Sequence, residues 1–177
     1  MNAVLKNKHL AISLIIFALL VVALPSQTAA WGDYTYLDVG YKDDLINIGI
    51  ARRYTDWGFE IGLGARKYND MLNYPCPHTS YIIVEDKYYN AMLGVDFIRY
   101  FDLNYELTAY LGAGGYYLGY DKISRSMATG WYYRESSSSE YEIGFSGGIQ
   151  IHTKGKSGFG LGYHTLRGFN LQVMLGF

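Results

Sequence analysis

Eight charged side chains stand at positions where strand spacing would bring them together: Asp38, Arg53, Glu60, Arg66, Asp96, Glu106, Glu140 and Glu142. Most sit in stretches that alternate bulky apolar residues with small or polar ones. Asp38 lies between Leu37 and Val39, Glu60 between Phe59 and Ile61, and Asp96 between Val95 and Phe97. Successive side chains of a strand point to opposite faces, so these charges share the face opposite the bulk. Ionised groups buried without partners are costly, so the expected chemistry is a hydrogen-bonded lumen network. Arg53 and Glu60 flank one hairpin turn and are expected to be neighbours. Carboxylates outnumber the inward bases, which leaves a proton or ion path as the alternative.

Other reactive groups are sparse. Cys76 is the only cysteine, so no internal disulfide can form. With His78 it offers two metal-ligand side chains in a proline-broken loop, too few for a metal site. No phosphate loop, zinc spacing or nucleophile elbow occurs. No cofactor, metal or catalytic residue is assigned.

The elements that would position the charges are strands. Period-two alternation predicts them at about 34–41, 45–54, 59–68, 88–100, 105–120, 140–152, 157–164 and 168–177. The connections at 69–87 and 121–139 are expected to be long loops, the first with a short extended piece at Tyr81–Val84. The other connections are short. Numbered in order, the two long ones are the third and fifth, so both fall at the same end of an up-and-down barrel. The sequence predicts an all-β fold, an eight-stranded antiparallel up-and-down transmembrane β-barrel. Strand 105–120 exceeds the roughly 9–11 residues that span a bilayer. A small Tyr-rich sheet is therefore expected to project above the membrane between the long loops. The two long loops, 69–87 and 121–139, are expected as the contact surface, with Trp131, Tyr132, Tyr133 and Arg134 of the second as loop contacts, since aromatic and Arg side chains often anchor interfaces.

Residues 1–30 read as a cleaved secretory signal peptide. Lys6 and Lys8 precede an apolar run from Leu10 to Leu24, and cleavage is expected after Ala30. The mature chain, 31–177, holds all 19 Tyr and all 21 Gly, and its formal charge is −3 rather than −1 once the two leader lysines are removed. Such a chain has no basic balance for nucleic acid.

Alternation alone does not say which face points outward. Glycine decides it: the polar face is lined with Gly, which leaves room for long polar partners in a narrow lumen. The bulky face then meets lipid. Aromatic residues form two groups near the strand ends, with Tyr54, Trp57, Phe59, Tyr100, Phe101, Tyr105 and Phe177 at one rim and Tyr41, Tyr68, Tyr88, Tyr89, Tyr117 and Tyr163 at the other, the pattern of two membrane interfaces.

The whole mature pattern resembles the small OmpA/OmpX-like outer-membrane barrels. That resemblance implies an outer-membrane location in a bacterial envelope and a monomer contacting outer-membrane lipid. The final strand, with Phe169, Leu171, Val173, Leu175 and Phe177 on one face, resembles the C-terminal signal read by the outer-membrane assembly machinery. The function expected is structural or surface-interacting, with a surface ligand not identifiable from sequence. The alternative is a lipid-modifying enzyme. The lipid A deacylases are small barrels with a His-x-Ser pair, but here His164 is followed by Thr165 and Leu166. By parity His164 also points into the lumen, away from lipid.

Overall fold

The computed structural model describes residues 33–42, 45–66, 71–153 and 157–175. Residues 1–32, 43–44, 67–70, 154–156 and 176–177, which include the leader, Tyr68 and Phe177, lie outside the described residues.

Alternating stretches become strands because each can bury small and polar side chains inward while its apolar side chains face outward. The described strands are β1 (Tyr34–Lys42), β2 (Leu45–Tyr54), β3 (Trp57–Ala65), β4 (Met71–Leu72), β5 (Tyr81–Asp102), β6 (Leu107–Ser126), β7 (Tyr132–His152), β8 (Ser157–His164) and β9 (Gly168–Leu175). Neighbouring long strands pair antiparallel. The β1–β9 and β7–β8 ladders close the sheet into an eight-stranded barrel, with β4 added parallel to β7.

Within the barrel the alternation survives folding. Tyr36, Asp38, Asn47, Glu60, Asp96, Gln150 and Gln172 are buried in the lumen. Leu37, Val39, Ile46, Ile48, Ile50, Ile61, Leu63, Val95 and Leu171 are exposed on the outside. β1 has nine residues. At about 3.3 Å per residue and a tilt near 40°, nine residues rise roughly 23 Å, close to the ~25 Å apolar band of a membrane barrel. Aromatic clusters mark both borders of the band. Trp57 stacks on Tyr54 at 5.1 Å and on Phe97 at 6.1 Å near one end, called the base here. Tyr163–Phe169 and Tyr117–Tyr141 pair at 5.3 and 5.2 Å near the other end, the crown.

The expected long loops are the main correction. Most of 121–139 is strand: β6 continues to Ser126 and β7 starts at Tyr132, leaving only 127–131 as the turn. Within 69–87, β5 already begins at Tyr81, and Met71–Leu72 forms β4. β5 pairs with β3 only from Ala91 downward. Ten residues of β5, 81–90, therefore stand above the end of β3, about 30 Å along the strand. β6 and β7 rise with them. The expected projecting sheet exists and is taller than the sequence implied.

The rim assignments also change at two tyrosines. Tyr100 and Tyr88 turn inward and are buried. Tyr100 packs in the lumen, and Tyr88 lies beneath the Arg66 guanidinium at 4.0 Å.

Candidate functional site

Two regions carry the polar chemistry: the lumen and the crown sheet.

The lumen holds one connected hydrogen-bond network. At its crown end Arg167 reaches down from the β8–β9 turn. It pairs with Glu60 and lies 3.3 Å from Asp96 and 3.7 Å from Asp38. Gly168 makes this possible. Its φ of +77° belongs to the left-handed region, and an added Cβ would collide with the Tyr41 carbonyl. The chain reverses there, sending Arg167 inward and Phe169 outward. His164 braces the same turn. Its Nδ1 accepts from the Leu166 and Arg167 amides at 3.0 and 3.1 Å, and its Nε2 is 3.4 Å from Asp96 Oδ1. The Tyr116 hydroxyl donates to the other oxygen of Asp96.

Glutamines carry the network through the middle. Gln172 Nε2 donates to Asp38 at 3.1 Å and to Tyr110 at 2.9 Å. Gln150 donates to Gln172 at 2.8 Å, and Tyr34 donates to Gln150 at 2.5 Å. At the base, Arg53 makes two bonds to Asp102, and Thr108 joins Asp102 to His152. The Arg53 guanidinium also lies over the Tyr34 and Tyr100 rings, at 5.4 and 4.7 Å.

Several sequence expectations fail here, each for a definite reason. Arg53 and Glu60 do not pair. Strand shear gives Arg53 to Asp102 and Glu60 to Arg167. Glu106 lies in the β5–β6 turn and is exposed, because β6 starts at Leu107 rather than Tyr105. Arg66 is not in the lumen network: it caps Tyr88 at the crown, 4.0 Å from Glu85. Glu142 is half-buried at the crown mouth, lining a cavity of about 140 Å³ with Lys42, Leu45, Arg66, Met92 and Leu118. Asp38, Glu60 and Asp96 are buried together as placed.

Arg167 was missed because it lies in the β8–β9 turn, where alternation gives no face, and Asp102 because the strand was expected to end at residue 100, two short of the end of β5. The excess of inward carboxylates over bases was the available signal for Arg167. Glycine at the polar face serves packing as expected. A Cβ on Gly94 would strike the Tyr116 ring, and one on Gly162 the Tyr110 hydroxyl.

The crown sheet is held by cross-strand ion pairs. Lys87–Glu140 is 2.5 Å, Lys122–Asp86 2.8 Å and Arg134–Asp121 3.1 Å. The hydrogen bond from Lys122 holds the Asp86 carboxyl below its ordinary range, and that from Lys87 does the same for Glu140. The stretch from Tyr74 to Cys76 covers one face: the Tyr74 ring meets Tyr133 at 5.6 Å, and the Cys76 amide donates to Glu135 at 2.9 Å. Of the four expected contact residues, Trp131 is exposed, Tyr132 is half-buried under Arg125, Tyr133 is buried and Arg134 is engaged with Asp121. In the terminal strand, Phe169, Leu171 and Val173 face outward. Leu175 pairs with Thr35 and Ser157, and Phe177 lies outside the described residues.

No family model matches the chain, and no curated protein does. Solved structures do. The N-terminal β-barrel domain of Pseudomonas aeruginosa OprF superposes with TM-score 0.53 at 12% identity, covering 84% of this chain and 98% of that one. A de novo designed transmembrane β-barrel matches with TM-score 0.46 at 12% identity, covering 85% and 96%. Ail, the attachment invasion locus protein of Yersinia pestis, matches with TM-score 0.41 at 12% identity, covering 81% and 91%. This chain has the fold of the small eight-stranded transmembrane barrels. The fold argument rests on the OprF domain and on the closed strand order. Buried side chains line the lumen, and β5, β6 and β7 extend past the barrel as the crown.

Proposed function

We propose that this protein is a monomeric outer-membrane barrel that presents the crown sheet to the cell's surroundings as a contact surface. One observation carries the reading: β5, β6 and β7, of 22, 20 and 21 residues, rise past the other long strands at one end only. A bilayer needs roughly 9–11 residues per strand. The surplus has no spanning role and stands in water, where exposed strand edges recruit partners.

Residues 1–30 direct export and are removed to give the mature chain. The barrel is inserted by the assembly machinery through its last strand, and the outer-membrane lipid covers its apolar belt. The surface ligand is of a kind that an extended edge can hold. Enzymatic lipid modification is disfavoured by His164, which is fully buried with both ring nitrogens engaged. An acyl ester in the membrane has no route to it.

Protease added to intact cells tests the orientation. Cuts are expected within 73–80 and 127–131, with the barrel strands spared. Cuts that appear only after the outer membrane is opened would reverse the reading. N-terminal sequencing of the mature protein should begin at Trp31.

A further inference from the structure

The upper edge of β5 has an unusual makeup. Tyr81, Ile82, Ile83 and Val84 are consecutive, uncharged and all between 41% and 50% exposed. Alternation is lost because both sheet faces are open to water at this height. One side of the segment pairs with β6: Tyr81 lies opposite Ser126, Ile82 opposite Arg125 and Ile83 opposite Ser124. On the other side β3 ends opposite Ala91, and the last bond there among the described residues runs from the Arg66 amide to the Asn90 carbonyl. Among the described residues, no strand continues along that edge above Asn90.

Exposed edges are normally guarded by charges, proline or bulges. The lower part of this edge is guarded. It carries Glu85, Asp86 and Lys87, with register shifts between Ile83 and Glu85, Glu85 and Tyr88, and Tyr89 and Ala91. Of the four residues above, Tyr81, Ile82 and Ile83 carry none of these devices, and Val84 sits at the irregularity between Ile83 and Glu85. Met127 and Trp131, exposed at the adjoining β6–β7 turn, widen the apolar tip.

We propose that Tyr81–Val84 pairs antiparallel with the same segment of a second copy standing in an apposed membrane. The inference rests on the crown facing outward. An edge without charge selects an extended, uncharged, β-branched segment, and the edge itself is one. A two-fold axis between Ile82 and Ile83 sets those residues opposite each other and Tyr81 opposite Val84. Aromatic and β-branched cross-strand pairs of this kind are favourable. The same register sets Glu85, Asp86 and Lys87 opposite Ser80, Thr79 and His78, so no like charges meet. A register centred between Glu85 and Asp86 would oppose two carboxylates twice.

Membrane geometry fixes where the partner stands. Two barrels side by side in one membrane run β5 in the same direction and cannot pair antiparallel. Two apposed membranes present it in opposite directions. Four residues a side fall far below the ~800 Å² per partner of a stable complex. Each contact is therefore weak, and many copies on facing membranes act together. The protein is monomeric in detergent and adhesive only when arrayed.

The test uses the full mature protein in two dye-labelled vesicle populations, with crown exposure confirmed by protease cutting at 127–131. Absence of that cut refutes the orientation and leaves a different signature from failed pairing. With the cut present, protein-bearing vesicles should cluster with each other about ten-fold more than with protein-free vesicles. Ile82→Lys on both populations should abolish clustering while the barrel keeps its heat-resistant gel mobility. Ile82→Lys on one population and Ile83→Glu on the other should restore it, since the two residues face each other. Clustering that is absent in the native protein, equal with protein-free vesicles, unaffected by Ile82→Lys, or not restored by the charge pair would each overturn the proposal.

Discussion

Arg53 and Asp102, 49 positions apart, share two hydrogen bonds of 2.8 and 2.9 Å inside the base of the barrel. Both are buried, and the guanidinium is roofed by Tyr34 and Tyr100. Removing one member of a buried pair leaves an uncompensated charge and costs about 3–5 kcal/mol. Asp102→Ala should lower barrel stability by that amount in urea titrations in lipid vesicles. The double variant Arg53→Met with Asp102→Leu should lose less. Equal losses in the two would show that the charge pairing is not what holds the base.

Arg167 answers three carboxylates, Asp38, Glu60 and Asp96, from a turn that also closes the crown mouth. The native protein should give no large, stable conductance in planar bilayers, because side chains fill an eight-stranded lumen. Arg167→Ala should lower the heat at which the folded gel band is lost and admit small, flickering cation currents. Stable currents of porin size in the native protein would contradict a filled lumen.

The crown is strand rather than loop, and amide exchange distinguishes the two. Residues 119–125 should exchange slowly in the detergent-refolded protein, as should the amides of 132–139 that face β6, while residues 73, 74 and 78–80 exchange fast. Uniformly fast exchange across 121–139 would restore the loop reading.

Acid should loosen the crown before the barrel. Asp86 and Glu140 have folded-state pKa values lowered by Lys122 and Lys87. A lowered carboxyl stabilises above its unfolded pKa and loses that contribution as pH falls through the folded value. With ordinary values near 3.9 and 4.3, crown protection should be flat from neutral pH to about pH 4.5 and fall below it. Amide exchange of 81–89, corrected for intrinsic rates, checks this. A decline beginning near pH 6 would implicate another group.

The sequence alone determined which face each strand residue takes. Ile46, Ile48 and Ile50 go out, and Asp38, Glu60 and Asp96 go in, because side-chain alternation is a local property of extended backbone. It also determined the count of long strands and the end at which the surplus chain lies, since up-and-down connections alternate between ends. Two things needed the tertiary structure. The upper limits of β5, β6 and β7 were hidden because Tyr81–Val84 is uniformly apolar and Ser136–Ser139 uniformly polar. Strand open to water on both faces has no contrast to read. The ion pairs were hidden because strand tilt and shear, set only when the barrel closes, bring Arg53 to Asp102 and Glu60 to Arg167 across the lumen.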